Sequence, residues 1–293
     1  MGTRCELTVS VAEFNLTETL QSGQSFRWQQ LSDHEWWGVV NGSALYVRQD
    51  ADRLTVRHVG GRRPTHLWQE VIDYFDLALD YTAILHRLRR DHVFARIVPG
   101  PATLHILRQH PFETIISFII SANNHIPRIR SIIERICERY GEPFDTAFGR
   151  AYSFPTAEAL ARARLADLHH HCGLGYRDQY VAATARQLAR QRDFAAWHKL
   201  PSAKLRRRLL QLHGIGEKVA DCILLFGYHR LDAFPVDTWI RRAMTELYFP
   251  NERPNRRAIQ ACAARRFGAY AGIAQQYLFV RQRSEDRRPA PNC

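Results

Sequence analysis

The chain has 293 residues, 45% of them hydrophobic, and 41 Lys or Arg against 29 Asp or Glu give a net charge of +12. This length predicts two domains and the composition excludes a disordered chain. No apolar run is long enough for a membrane span and the N-terminus lacks a signal-peptide pattern, so we expect an intracellular protein, cytoplasmic or in the nucleoid of a prokaryote and nuclear in a eukaryote. The positive charge favours a polyanionic partner, although charge alone leaves a merely solvated basic surface equally open.

The first part of the chain predicts an antiparallel sheet. Two apolar runs within 35–48 flank Asn41-Gly42, a dipeptide typical of a type I′ hairpin turn. Residues 54–59 predict a third strand, and Gly60-Gly61 is expected to end the sheet. Residues 65–75 then change to helical spacing.

Beyond about residue 100 the pattern predicts helices. They are expected at 111–122, 127–140, 156–167, 176–191, 203–212, 217–227, 237–248, 254–267 and 269–282. We therefore predict an α+β chain: an antiparallel β domain with flanking helices at 1–98, a helical domain at 99–283, and a disordered tail at 284–293.

The most informative segment runs from Leu209 to Trp239. A first helix leads into His213-Gly214-Ile215-Gly216, and a second helix starts at once. The two glycines allow a tight hairpin whose free backbone N–H groups, at the positive end of the second helix, suit a DNA phosphate. Ile215 is expected to anchor the hairpin in the core. A bare GxG is weak evidence, but its place between two helices of a basic chain favours DNA binding.

Lys218 lies in the first turn of the second predicted helix. It shares one helix face with Cys222 and Phe226, four and eight residues later. A solvated lysine above two core residues is the ordinary interpretation. Burial and the helix dipole both disfavour the charged amine, however, and so favour the neutral form that acts as a nucleophile.

Asp237 follows Pro235-Val236 and is well placed to cap the helix predicted after it. Capping alone is one interpretation. The other is a rigid carboxylate that faces positive charge developing in a cleft. Such a carboxylate near Lys218 would favour the charged amine, and the sequence leaves the balance between these effects open.

These motifs resemble those of a known family. GIGEKVADC at 214–222 followed by FPVD at 234–237 resembles the helix–hairpin–helix (HhH-GPD) DNA glycosylase superfamily and, within it, the 8-oxoguanine DNA glycosylase/AP lyases. Further similar blocks occur in the family's order, at 22–28, 120–129, 173–177 and 270–279. The resemblance covers nearly the whole chain and implies a TBP-like sheet domain packed on an all-helical HhH-GPD domain.

The resemblance implies a bifunctional base-excision repair enzyme that acts on double-stranded DNA containing oxidised purines. The lysine matching Lys218 attacks C1′ of the flipped 8-oxoguanine nucleotide, and the resulting Schiff base permits β-elimination, which nicks the strand. Asp237 matches the aspartate that stabilises the oxocarbenium-like sugar. No cofactor is required, although the hairpin carbonyls could hold a monovalent cation as in relatives. We expect a monomer.

The base pocket is implied in the same way. Gly23 matches the residue whose carbonyl accepts the N7–H that 8-oxoguanine has and guanine lacks. Cys222 and Phe279 match the residues that sandwich the base, and Gln275 matches the residue that reads its Watson–Crick edge. Phe226 takes a pocket position where many members have Met. Without the resemblance, these residues are a turn glycine, core side chains and an exposed glutamine.

The opposite strand has its own candidates. Asn123, Arg128, Tyr176 and Arg177 match residues around the estranged cytosine, whose acceptors suit two arginines, so we expect cytosine to be preferred opposite the lesion. Tyr176 is expected to wedge into the gap left by the flipped base. For one arginine alone, phosphate contact is the ordinary alternative.

The chain also departs from the family pattern. Asn124, a further candidate for DNA binding, is followed by His125, where a third Asn is common. Trp239 stands where many members have a His that contacts phosphate, although its indole N–H could still donate to one.

Two other functions stay open. A monofunctional alkylpurine glycosylase would share the fold and the aspartate but not the lysine, so Lys218 and Gly23 argue against it. A non-catalytic helix–hairpin–helix DNA-binding protein would need neither Lys218 nor Asp237. An iron–sulfur cluster is excluded, because no CxxC occurs and only Cys262 and Cys293 follow Cys222.

Overall fold

The computed structural model describes residues 6–101, 103–191 and 194–286. Its strands are β1 Glu6–Ser10, β2 Trp28–Ser32, β3 Glu35–Val40, β4 Ser43–Asp50, β5 Arg53–Gly61, β6 Pro143–Thr146 and β7 Gly149–Tyr152. They form one antiparallel sheet in the order β2-β3-β4-β5-β6-β7, with β1 also paired to β5. The predicted type I′ turn between β3 and β4 is confirmed, since Asn41 and Gly42 both have positive φ, 50° and 78°.

The sheet does not end where the sequence predicted. The hairpin of β6 and β7, which lies far along the chain, adds to it through a pairing of Gly60 with Thr146. A side chain at Gly60 would collide with the carbonyl oxygen of Asp145. The glycines at the end of β5 therefore allow another backbone to approach, and the prediction that they terminate the sheet was wrong.

The helices pack around two hydrophobic cores. They are α1 Leu16–Gln21, α2 Leu67–Phe75, α3 Tyr81–Leu88, α4 His92–Ile97, α5 Pro111–Ser121, α6 Ile126–Tyr140, α7 Ala157–Ala161, α8 Asp178–Arg190, α9 Ser202–Leu209, α10 Glu217–Gly227, α11 Thr238–Tyr248, α12 Arg256–Phe267 and α13 Ala271–Asp286. None of the helices in the described part of the chain is long and apolar enough to cross a membrane. The α+β class predicted from the sequence is confirmed.

Two predicted helical regions differ in detail. The helix predicted at 156–167 is shorter, because α7 ends at Ala161 and a separate π-helical turn follows at Asp167–His171. At the C-terminus, α13 continues to Asp286, past Ser284, where the disordered tail was predicted to begin. An ion pair between Arg281 and Glu285 at 2.9 Å supports this last turn. The rest of the predicted tail, 287–293, lies outside the described residues.

Buried side chains form two cores. The sheet, α1 and α2 enclose one of them, with Trp28, Trp36 and Phe75 at its centre. The second core lies among the helices from α3 onward, including Leu85 of α3 and Phe94 of α4. Helices α3 and α4 therefore pack with the helical domain although the sequence placed them before the boundary at residue 98, and the domain limits stay a prediction.

A buried carboxylate connects the two parts. Asp76, after α2, accepts hydrogen bonds from Tyr81 (2.9 Å), Arg108 (2.8 Å) and His229 (3.0 Å), the last of which follows α10. Burial pushes the pKa of Asp76 up, but the bonds and charges of His229 and Arg108 outweigh it and hold the pKa below its usual value. This contact ties the far end of α10 to the β domain.

Candidate active site

A cavity of about 360 Å³ lies where the loop after α1 meets helices α5, α6, α10, α11 and α13. Lys218 of α10 and Asp237, at the start of α11, both line it. Gly23 and Phe279 line it from the other side, together with Trp239. Five residues that the sequence singled out from distant segments therefore surround one space large enough for a small heterocycle.

Lys218 is half-buried in the first turn of α10. Its Nζ lies 5.7 Å from the ring centroid of Phe118, within the range of a cation–π contact. Phe118, a lining residue from α5, stacks in turn on Phe226 at 5.3 Å. Phe118 was missed in the sequence because α5 is apolar on nearly every face, so periodicity could not distinguish a core side chain from one that lines a cavity.

Asp237 is a helix cap and also a lining residue of the cavity. It is the N-cap of α11, where its Oδ1 accepts from the backbone N–H of Ile240 at 2.8 Å, and its side chain faces the cavity. Burial raises the pKa of this carboxyl, while the backbone N–H donors and nearby Lys218 lower it in part. The cap holds the carboxylate rigidly at the cavity wall.

Cys222, one turn after the lysine, is only 3% exposed. Burial raises the pKa of its thiol to about 11, partly offset by the charge of Lys218. The thiol is therefore neutral near pH 7 and a poor nucleophile, because the thiolate is the reactive form. This leaves the amine of Lys218 as the better candidate.

Three of the expected base-pocket residues do not line the open cavity. Cys222, Phe226 and Gln275 are each 3% exposed and lie in the surrounding core. Gln275 is not the exposed glutamine of the ordinary interpretation, and its Oε1 accepts from the side chain of Gln276 at 3.1 Å. Contact of these three residues with a base stays a prediction.

The hairpin joins α9 to α10 and is held by α8. Ile215 is buried, as expected of an anchor, while His213 and Gly216 are exposed. Gly214 has a φ of +77°, and a Cβ there would lie 2.6 Å from Cβ of Tyr180. Thr184, one turn further along α8, donates to the carbonyl of His213 at 2.9 Å. No side chain caps α10 at Gly216, so its first N–H groups are available to an anion.

The loops expected around the opposite base form a second cluster. Arg177 is only 4% exposed, and its guanidinium donates to the carbonyls of Ala122 (2.9 Å from Nε), Asn123 (2.8 Å) and Leu174 (3.4 Å). It also lies 4.4 Å from the ring centroid of Tyr176. Tyr176 itself is 54% exposed. The structure therefore presents the expected wedge to solvent but encloses the arginine beside it.

The remaining candidates lie near the start of α6. Arg128 and the αL residue Asn123 are exposed. Asn124 lines the cavity and builds the turn, since its side chain donates to the carbonyl of Ile120 (3.2 Å) and accepts from the N–H of His125 (3.0 Å). His125 is the N-cap of α6 and also lines the cavity.

Within the described residues no group of three or more His, Cys, Asp or Glu side chains is arranged to hold a metal ion. The cysteines described there, Cys137, Cys172, Cys222 and Cys262, are free thiols. The site therefore consists of the amine of Lys218, the carboxylate of Asp237 and the cavity that they line. It lies next to a hairpin whose backbone N–H groups are available to an anion.

Two family models match the chain. The 8-oxoguanine DNA glycosylase N-terminal domain matches residues 6–115, and the HhH-GPD superfamily of base excision DNA repair proteins matches residues 116–267. A probable N-glycosylase/DNA lyase of Methanothermobacter thermautotrophicus is 32% identical over 93% of this chain and 95% of its own.

Solved structures agree with these matches. The 8-oxoguanine glycosylase/lyase of Clostridium acetobutylicum, in complex with double-stranded DNA containing cytosine opposite 8-oxoguanine, superposes with a TM-score of 0.87 at 31% identity, over 94% of this chain and 93% of that one. The 3-methyladenine DNA glycosylase of Archaeoglobus fulgidus has a TM-score of 0.78 at 19% identity, over 94% and 98%. At this lower identity the likeness concerns the fold alone.

Proposed function

Because this chain belongs to the 8-oxoguanine N-glycosylase/DNA lyase family of the HhH-GPD superfamily, we propose that it excises 8-oxoguanine opposite cytosine from duplex DNA and then nicks the strand at the abasic site. The observation that carries this proposal is the cavity in which Lys218, Asp237 and Gly23 meet. An amine, a fixed carboxylate and a base-reading backbone are the parts that such a reaction needs.

Binding begins at the phosphates. The uncapped N-terminus of α10 and the exposed hairpin residues His213 and Gly216 bind the backbone of the damaged strand. The net charge of +12 favours association of the chain with DNA. Tyr176 fills the gap in the stack as the damaged nucleotide rotates outward. Its sugar then comes to the mouth of the cavity near Lys218.

Excision follows by substitution at the sugar. The lone pair of the neutral Lys218 amine forms a bond to C1′ as the C1′–N9 bond breaks, and the base leaves with the electrons of the C1′–N9 bond. The base takes up one proton, which balances the proton that the new secondary ammonium loses. The ionised carboxylate of Asp237 stabilises the positive charge that develops on the sugar. Since the α11 cap holds this carboxylate in place, little reorganisation accompanies the step.

Strand cleavage uses the same covalent bond. The C1′–O4′ bond breaks as the amine loses a proton, O4′ takes up a proton to become a hydroxyl, and an imine between Nζ and C1′ remains. The imine acidifies C2′, and loss of a C2′ proton expels the 3′ phosphate as its C–O bond breaks. Hydrolysis of the imine releases Lys218, and water could not replace the amine because it forms no imine.

A monovalent cation at the hairpin is part of the proposal. The carbonyl of His213 already accepts from Thr184, and that of Leu212 accepts from the N–H of Ile215 at 3.4 Å. Each carbonyl oxygen has a second lone pair, so these groups fit a hard cation. A cation held there would add positive charge beside the bound phosphate. We also propose that the chain acts on DNA as a monomer.

Borohydride trapping tests the lysine sharply, because the sequence contains only three lysines, Lys199, Lys204 and Lys218. The wild-type chain should release 8-oxoguanine from a duplex with cytosine opposite, nick the strand, and form a trapped adduct. We expect Lys218→Gln to bind DNA but give no adduct, with excision at least about a thousandfold slower. Lys204→Gln is the matched control, since Lys204 is exposed on α9, and it should behave as wild type.

The two alternatives give different results. Base release from alkylated rather than oxidised purines, without nicking, would favour a monofunctional glycosylase. Binding without release of any oxidised purine would leave only a DNA-binding module. Comparing all four bases opposite the lesion would then measure the preference for cytosine.

A further inference from the structure

The loop that carries Gly23 is held from behind by a glutamine with no solvent exposure. The side chain of Gln24 is bonded at both ends. Its Nε2 donates to the carbonyl of His105 (2.8 Å) and to Oγ of Ser22 (2.9 Å), and its Oε1 accepts from the backbone N–H of Leu107 (2.8 Å). The loop is therefore fastened to the extended segment before α5.

A second glutamine extends this connection to α10. The side chain of Gln109 donates to the backbone carbonyl of Gln24 at 2.7 Å. The backbone N–H of Gln109 donates to the carbonyl of Phe226, near the end of α10, at 3.3 Å. Since Lys218 lies at the start of the same helix, a chain of hydrogen bonds joins the helix of the nucleophile to the Gly23 loop.

Gly23 cannot set the direction of its own carbonyl. It has no side chain, its φ is +80°, and the nearest atoms where a Cβ would stand belong to the apolar side chains of Phe279 and Ile126. The peptide unit that contains this carbonyl also contains the nitrogen of Gln24, and the unit is planar. Bonds that hold the side chain and carbonyl of Gln24 therefore restrict how the peptide unit of the Gly23 carbonyl can rotate.

We infer that Gln24, supported by Gln109, is the positioning residue that aims the Gly23 carbonyl and so sets how efficiently 8-oxoguanine is recognised for excision. This inference rests on the proposed function. A hydrogen bond weakens steeply with distance and angle, so a small rotation of this peptide unit would weaken the contact to N7–H. An abasic site has no base to read, and its cleavage should be insensitive to the same rotation.

The experiment compares two reactions in the same variants. Gln24→Met keeps the length of the side chain but removes its bonds, and we expect kcat/KM for 8-oxoguanine excision to fall by about tenfold to a hundredfold. Nicking of a preformed abasic site should stay within about twofold of wild type, which also reports correct folding. Gln109→Met should produce the same pattern more weakly, because it removes only the support of the Gln24 carbonyl.

Gln49→Met is the matched control. Gln49 makes the same kind of bonds at the other end of α1, to the N–H of Leu16 (2.7 Å) and the carbonyl of Phe14 (2.6 Å). It should leave the ratio of excision to abasic-site nicking unchanged. Equal losses in both reactions for Gln24→Met, or no loss in either, would overturn the inference. Wild-type protein that releases no 8-oxoguanine would contradict the proposed function instead.

Discussion

The excision cavity and the loops beside it differ in how far they are prepared for DNA. Around the cavity, Lys218 and Asp237 already face the space where a nucleotide would react. In the loops, Arg177 is enclosed by backbone carbonyls of its own chain. The chemical groups are preorganised, whereas the group expected to read the opposite cytosine must first exchange its partners.

The hydrogen bonds that enclose Arg177 also contribute to the stability of the fold. Each hydrogen bond from a guanidinium to a buried carbonyl contributes roughly 1.5–3 kcal/mol. Arg177 makes such bonds to a turn in which Asn123 has a φ of 49°, an unfavourable conformation for most residues. The arginine therefore stabilises the loop. The proposed contact with cytosine would replace part of this bonding, a change that the proposed excision chemistry does not need.

Of the changes considered next, Asp237→Asn in the preorganised cavity is expected to have the largest effect on excision. Asparagine can still cap α11, so the fold should persist, while excision should fall by about a hundredfold to a thousandfold because the negative charge is lost. Burial raises the pKa of Asp237 above 3.8. The ionised form is thus present above this raised pKa and is lost as pH falls through it. Wild-type excision should decline on acidification at a higher pH than an exposed aspartate would give.

The pH profile separates charge from structure. The residual excision activity of Asp237→Asn should not show this decline at acidic pH. Asp80→Asn makes the same substitution at the exposed N-cap of α3, where Oδ1 accepts from Ala83 at 2.8 Å, and should leave rate and profile unchanged. A decline at acidic pH that survives in Asp237→Asn would assign the titration to another group.

An intermediate effect is expected in the loops. Arg177 and Arg128 are both expected to contact the opposite cytosine, but Arg177 is buried and Arg128 is exposed. Arg177→Gln and Arg128→Gln should each reduce the preference for cytosine over adenine by about tenfold. Only Arg177→Gln should destabilise the fold, by about 1–3 kcal/mol, because it removes the charged donor from the part-buried carbonyls of Ala122 and Asn123. Arg128 is exposed, so its loss should change stability by less than about 0.5 kcal/mol.

Urea unfolding and excision opposite each base measure the two quantities separately. If both variants unfold at the same urea concentration as wild type, Arg177 does not hold the loop and the contrast between the two regions disappears. If Arg177→Gln loses stability but keeps its preference for cytosine, its role is structural alone.

Features set by local sequence were predictable. The turn at Asn41-Gly42 and the cap at Asp237 depend on the conformational preferences of a few neighbouring residues, and the structure contains both. The lysine and the aspartate could also be paired, because their motifs resembled one family in sequence order.

Features that depend on distant contacts were not predictable. Pro143 and Asp145 are poor strand formers, and β6 exists because glycines in β5 admit it to the sheet. Enclosure of Arg177 depends on carbonyls from a loop more than 50 residues earlier. Phe118 looks like any core residue of α5 until α10 is placed across from it. In each case the role of the residue depends on a contact with a distant segment, which the local sequence does not identify.

The smallest effect is expected at the hairpin, which contacts α8 on the side of the loops and leads into α10 on the side of the cavity. Gly214→Ala places a side chain at a φ of +77° and only 2.6 Å from Cβ of Tyr180, so the hairpin must shift away from the helix that continues from Tyr176 and Arg177. We expect DNA affinity to fall by about threefold to tenfold and its dependence on salt to become shallower, since fewer phosphates are neutralised.

Gly100→Ala is the matched control for this change. Gly100 is exposed outside the hairpin, and a Cβ there would meet no atom within 4 Å, so affinity should stay within about twofold of wild type. Nicking of an abasic site at saturating DNA should be unchanged in both variants, because the cavity does not depend on the hairpin once DNA is bound. A loss of that activity in Gly214→Ala would show that hairpin and cavity move together, and the division between a prepared cavity and an adaptable DNA-reading surface would no longer hold.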